Sequence, residues 1–326
     1  MKPFLFLFIV SCHALLPIEV TIPYDKNSDF FSVWVEKGEK ISFAVKGNWT
    51  MWDKWKPVDY KGHQNFAKKV NGFEVGRLLA RIEGADAFAV NDQGSHVAQK
   101  SGRIILYANR GNYAHLSGHG ELSVEITGAR EISQQEAEKK HGWDIAALDT
   151  ARNESYLTEQ EKNIILYLNK ARSNPALFAS LYLYHRRNEG AYAREAYNEL
   201  LKKSPLPVIR PARPLFLAAR DHAMDMGKAG KTGHYGTDNS SPETRVKRYG
   251  IFTGRYRGPW ENCSYGFQDA LEIVLQLIID DGVASRGHRK NIFEKNVNFA
   301  GVATRTHSSY RYNSVHDFAN AIEEIK

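Results

Sequence analysis

Cysteine is scarce in this chain: Cys12 and Cys263 are the only two among 326 residues. A fold stapled by disulfides is therefore excluded, and if Cys12 is removed or lipidated no intramolecular bridge can form. Nothing around Cys263 favours a thiolate, so the sequence offers no convincing cysteine nucleophile. Long basic runs are missing too. The net charge of +7, from 44 basic and 37 acidic residues, is spread along the chain. That argues against a nucleic-acid partner, since such proteins gather their charge on one face. The apolar run at residues 3–10 falls short of the roughly 20 residues that a spanning helix needs.

What is present at the N-terminus is an early lysine, that short apolar run and then small residues, in the order MKPFLFLFIVSCHALLP. The pattern resembles a secretory signal. Its IVSC segment is also similar to a bacterial lipobox, which makes Cys12 a lipidation candidate and Ala14 an ordinary cleavage site. Residues 1–14 thus read as a signal peptide or lipoprotein signal. The expected product is exported, extracellular, periplasmic or a surface lipoprotein, touching a membrane only through an N-terminal lipid.

The rest of the chain divides into two halves with different hydrophobic periods. From residue 18 to 127 apolar side chains alternate with polar ones, as at Ile41, Phe43 and Val45 or at Leu122, Val124 and Ile126, with glycines between the runs. Many short strands with glycine turns imply a sandwich or jelly roll. Residues 130–154, rich in Glu, Gln and Lys, read as a linker or a linking helix. After it the period lengthens. Thr158 and Glu161 form a capping box, Asn174–Pro175 stops one helix and starts the next, and Leu215, Ala218, Ala219, His222, Ala223 and Met226 form a buried helical stripe. His222 on that stripe reads as a hydrogen-bonded core histidine. Ser241–Pro242 opens a short helix that Gly250 can close, residues 268–281 form a long apolar one, and the chain ends in strand-like runs. The fold class is α+β in two domains: an all-β sandwich over residues 15–129 and a mixed domain over 155–326.

The chemistry concentrates in three short pieces of the second half. KTGHYG carries His234, GRYRGPWENCSYG carries Glu261, and DDGVASRGHRKN carries Asp280, Asp281 and His288. A carboxylate among glycines and aromatics must reach solvent or find a cationic or hydrogen-bonding partner. Two imidazoles facing two carboxylates suit a divalent metal or an acid–base pair. Each residue taken singly reads as a capping or ion-paired polar group.

LNKARSNP, a Gly-His after an alanine-rich helix, SSPETR, WEN, IIDDG, SRGHRKN and VHDF occur in this order. Together they resemble the bacterial branch of the CAP superfamily, the SCP-like domains, over residues 156–326. The resemblance implies an α-β-α sandwich with a cleft lined by His234, Glu261, Asp280 and His288. It implies that His234 and His288 can hold zinc, with the acids as neighbouring groups that orient ligand or water. Asp280 matches the second acid by helix position, with Asp281 beside it. The family's ligands imply a lipid-like small molecule, and a glycan partner would fall to the β half.

Residues 18–128 resemble the jelly-roll domains of calcium-dependent galactophilic bacterial lectins. The likeness rests on VWVEKGEKISFAVKGNW, GRLLARIE, GRIILYAN and SGHGELSVEI. The loop that would bind calcium and sugar offers only Asn109 and Asn112, and Arg110 places a positive charge there. Calcium wants several oxygen ligands, usually including carboxylates, so the fold is expected without its calcium site. Trp49, Trp52, Trp55 and Tyr60 could form a sugar platform or pack a loop.

Three readings of function follow. The first is an exported protein whose His/acid cleft binds a metal or ligand while the β domain attaches it to a surface or carbohydrate. The second is a zinc-assisted hydrolase acting on peptide or cell-wall substrates. The third is a non-catalytic adhesion protein.

Overall fold

The computed structural model describes residues 16–325, apart from 25–32, 53, 65–68, 71, 91–93, 111–117 and 256–257. The lipidation candidate Cys12 and the loop residue Asn112 lie outside the described residues. The chain divides into two units, Met1–His141 and Gly142–Lys326.

The first unit is a two-sheet β sandwich. Its strands are β1 (Ile18–Pro23), β2 (Val33–Val35), β3 (Lys40–Thr50), β4 (Leu78–Ile82), β5 (Phe88–Ala89), β6 (Ser95–Val97), β7 (Gly102–Ala108), β8 (His119–Thr127) and β9 (Arg130–Glu131). One sheet runs β1-β8-β3-β6 and the other β5-β4-β7-β2-β9. The period-two alternation does what it should: Phe43 faces Ile126 across β3 and β8, while Ile104 and Leu106 of β7 come from the second sheet into the same core. Each such aliphatic side chain contributes roughly 1.5–3 kcal/mol on burial. Trp49 is fully buried, with its indole N–H on the Gly76 carbonyl, and Tyr60 is buried as well. These two aromatics are packing. Trp52 and Trp55 stand edge to face beside them.

The segment read as a linker or a linking helix contains a short strand and two short helices. Strand β9 pairs with β2, and helix α1 (Gln134–Lys140), capped by Ser133, follows it. Lys140 reaches Glu36 at 2.9 Å and His141 reaches the buried Glu83 at 2.8 Å, over the ring of Trp34. The unit boundary therefore falls after α1, inside that segment.

The second unit contains α2 (Ile145–Leu148), α3 (Glu159–Ser173), α4 (Pro175–Phe178), α5 (Ala191–Leu200), β10 (Arg210–Pro211), α6 (Arg213–Ala229), α7 (Pro242–Val246), β11 (Gly250–Phe252), β12 (Trp260–Tyr265), α8 (Ala270–Ile279), α9 (Gly287–Ile292), β13 (Phe299–His307), β14 (Arg311–Ala319) and β15 (Ile322–Glu324). The central sheet runs β10-β13-β14-β12. Helix α6 covers one face, its stripe from Leu215 to Met226 buried as the spacing predicts, and Gly301 of β13 leaves room for its backbone. Ser264 of β12 bonds Gln276 of α8 on the other face. Helix α3 packs beside α8 and carries the expected capping box. Glu161 serves three times, capping α3, accepting from Thr304 N–H of β13 at 3.0 Å and pairing with Arg305 at 2.8 Å. The result is the α-β-α sandwich. One expectation fails: α7 ends at Val246, and Gly250 opens β11 instead of closing the helix.

Candidate functional site

Strand β12 positions the site by sending adjacent residues to opposite faces. Glu261 points to the α6 face. Asn262 points the other way, donating to the His288 carbonyl at 3.0 Å. Glu261 is buried and accepts from His234 and Arg245, with the Cys263 thiol a longer third donor at 3.7 Å. His234 Nδ1 lies 2.7 Å from Oε1, and Arg245 Nη2 lies 2.5 Å from Oε2. Burial pushes the Glu261 carboxyl up, but His234 and Arg245 outweigh it and hold the group below the ordinary range. The acid is an anion held by an imidazole and a guanidinium, and its burial beside aromatic residues is tolerable for that reason.

His234 follows Gly233, whose φ of +116 favours glycine. The Gly233 carbonyl is 2.9 Å from His222 Nε2, and its N–H donates to the Tyr265 hydroxyl at 3.0 Å. Arg245 also donates to the carbonyls of His234 and Ser240, at 3.0 and 2.7 Å. The His234 side chain itself remains 47% exposed, so the ring is open on the side away from Glu261.

The second histidine repeats the arrangement with a different acid. Asp280 ends α8 in a left-handed conformation, φ 58, and its carboxylate accepts from His288 Nδ1 at 2.6 Å and from His288 N–H at 3.0 Å. One residue thus stops α8, caps α9 and orients an imidazole. Asp281 is exposed and plays no part in this. Among the described residues no hydrogen bond joins His288 to Glu261 or to His234. The link between the pairs runs through β12, where Asn291 of α9 donates to Glu261 O and to Asn262 Oδ1.

Two buried residues complete the surroundings. Asp317 of β14 stands opposite Glu261 in register, and among the described residues no donor reaches either of its oxygens. Burial pushes its carboxyl well above the usual range and the Glu261 charge adds to this, so Asp317 is the neutral acid of the pair, with Glu261 placed to accept its proton. His316, on the Asn262 face beside Ser314, is lowered to about 3, by burial first and by its neighbour His288 second.

One further set of donors comes together. His222, Glu261 and Cys263 each offer an atom within 4.8 Å of the others. Arg245 already occupies Glu261, and burial holds the Cys263 thiol protonated, so this set is a poor cation site. His222 has the buried, hydrogen-bonded character that its stripe implies.

Residues 167–318 match the model of the family described as CAP: Cysteine-rich secretory protein family. The chain carries a CAP domain. Among solved structures it is similar to an extracellular protein containing a SCP domain from Bacillus anthracis str. Ames, at 11% identity and a TM-score of 0.33, with 78% of this chain and 75% of that one covered. It is also similar to the EclA N-terminal domain, a PllA-like lectin, at 17% identity and a TM-score of 0.29, with 34% of this chain and 96% of that one covered. No curated protein matches it. Within the CAP domain the sequence singled out both imidazoles and their acids but missed Asp317, Arg245 and Tyr265 as participants. Arg245 lay in SSPETR and Asp317 in VHDF; only strand pairing and loop closure bring them to Glu261.

Proposed function

We propose that the CAP domain binds a divalent metal, zinc by its donor chemistry, through His234 and His288, in a protein exported by its N-terminal signal. The observation that carries this is shared by both histidines: each has Nδ1 on a buried carboxylate. A carboxylate can only accept, so Nδ1 holds the proton and the lone pair lies on Nε2. That carboxylate–imidazole unit is the arrangement that orients histidine ligands in zinc proteins, and imidazole nitrogen suits zinc. Glu261 and Asp280 would act behind the ligands, because Arg245 and the α9 amides already engage them. Bound zinc would supply a Lewis acid. The β sandwich, on its likeness in sequence to sugar-binding jelly rolls, would attach the protein to a surface or glycan.

Metal analysis of the mature protein, purified without chelators, tests this. About one zinc per chain in the wild type, and none after His234→Ala with His288→Ala, is the expected result. A metal content that the two replacements leave unchanged sinks it.

A further inference from the structure

The ring of His234 is 47% exposed, yet Gly233 in front of it is held at both its C=O and its N–H. His222 comes from α6 and is 1% exposed; its Nε2 lies 2.9 Å from the Gly233 carbonyl. Carbonyl oxygen only accepts, so Nε2 carries the proton and His222 is the donor. Tyr265 comes from β12, and its hydroxyl accepts the Gly233 N–H at 3.0 Å. The Tyr265 ring is fixed in turn by His307 and Tyr310, with centroids 5.6 Å away in each case. Gly233 sits at φ +116 and a Cβ there would meet nothing within 4 Å, so the glycine serves backbone conformation and not packing. A residue in a conformation that others avoid, with its N–H in one flanking peptide and its C=O in the next engaged by separate elements, has one orientation available.

We propose that His222 and Tyr265 are positioning residues that lock the Gly233 peptide and so present His234 with Nδ1 against Glu261 and Nε2 outward. Neither touches a bound ion; both act through the main chain of their neighbour. The consequence for metal binding rests on the zinc reading above, but the orientation of the ring does not.

The test uses the metal-free full chain, labelled with ¹⁵N, at about pH 8, above the ordinary imidazole range. Long-range ¹H–¹⁵N spectra report which ring nitrogen of His234 carries the proton, and zinc titrations run in parallel. Wild type should show a single Nδ1–H tautomer. Tyr265→Phe keeps the ring and removes the hydroxyl that accepts the Gly233 N–H; it should mix the tautomers and weaken zinc binding by about 10-fold, the lower end for groups behind a metal ligand. His222→Phe should do the same and His222→Gln, which restores a donor, should recover part of the loss. If His222→Phe does not fold, Tyr265→Phe decides alone. A lowered melting temperature in Tyr265→Phe with the His234 tautomer unchanged would overturn the proposal and leave both residues merely structural. A tautomer shift in a protein that binds no zinc would uphold it and remove the metal reading instead.

Discussion

Glu261 on β12 and Asp317 on β14 stand directly opposite each other, two carboxyl groups in one register pair inside the CAP domain. Only one negative charge is compensated there. Arg245 and His234 both address Glu261, and Asp317 keeps its proton.

This fixes a pH dependence. Asp317 has a raised carboxyl in the folded chain, whereas the unfolded chain releases that proton near pH 3.9. From about pH 4 upward the unfolded state therefore gains, and this group costs about 1.4 kcal/mol per pH unit until native Asp317 ionises. Asp317→Asn, which has no proton to lose and can still donate to Glu261, should be more stable than wild type at neutral pH, with the gain vanishing below about pH 4. Urea unfolding at several pH values reads this. A stability difference that does not change with pH would contradict it.

Replacing Arg245 should be severe. It is 2% exposed, and removing it leaves Glu261 buried without its cation. Arg245→Met should cost about 3–5 kcal/mol in chemical unfolding, the range for breaking a buried pair. Adding Glu261→Gln should return part of that, because the uncompensated charge goes with it. Strictly additive losses in the two variants would show that the pair is not coupled.

In the β sandwich the sign is reversed. Burial would raise Glu83, but His141 and Arg103 bring its carboxyl down to about 2. The stability it contributes is present above its unfolded value near pH 4.3 and is lost as pH falls through about 2. Glu83→Gln should lower the melting temperature of the first unit at pH 7 and have little effect near pH 2. Equal effects at both pH values would mean that the ion pairs do not hold α1 to the sheet.

Gly301 is set by closeness. A Cβ there would fall 2.0 Å from Phe216 N and 2.1 Å from the Leu215 carbonyl carbon, both backbone atoms of α6. Backbone cannot swing aside as a side chain can, so Gly301→Ala should cost about 3 kcal/mol, the upper range for overpacking. A melting temperature within a degree or so of wild type would show that α6 can shift.

Much of this arrangement was legible in the sequence wherever one local rule decided it. The Thr158–Glu161 box, the Asn174–Pro175 junction and the α6 stripe depend on neighbours within a few turns, and the structure contains them. The alternation of β3 and β8 predicted which residues line the sandwich core. Boundaries were less legible. Gly250 has the composition of a helix stop but pairs in a strand with Glu324, 74 positions away. The participants around Glu261 were hidden for the same reason: Asp317 meets it through strand register, Arg245 through the placement of helix α7, and Tyr265 through its hydroxyl's bond to the Gly233 N–H. His222 on its apolar stripe was rightly read as hydrogen-bonded core, but spacing could not reveal that its acceptor is the peptide preceding His234.

The most direct test of the central claim is calorimetric titration of the full mature chain with zinc near pH 7.5 and pH 5.5, comparing wild type with the His234→Ala, His288→Ala double variant. Imidazole ligands must be neutral to bind, and binding releases protons, so affinity should fall as pH drops. Wild type should bind about one zinc at the higher pH and far more weakly at the lower, and the double variant should lose most binding at both while retaining its melting temperature. Equal affinity in wild type and the double variant would contradict the account, and the two carboxylate-held histidines would then be structural groups and not a metal site.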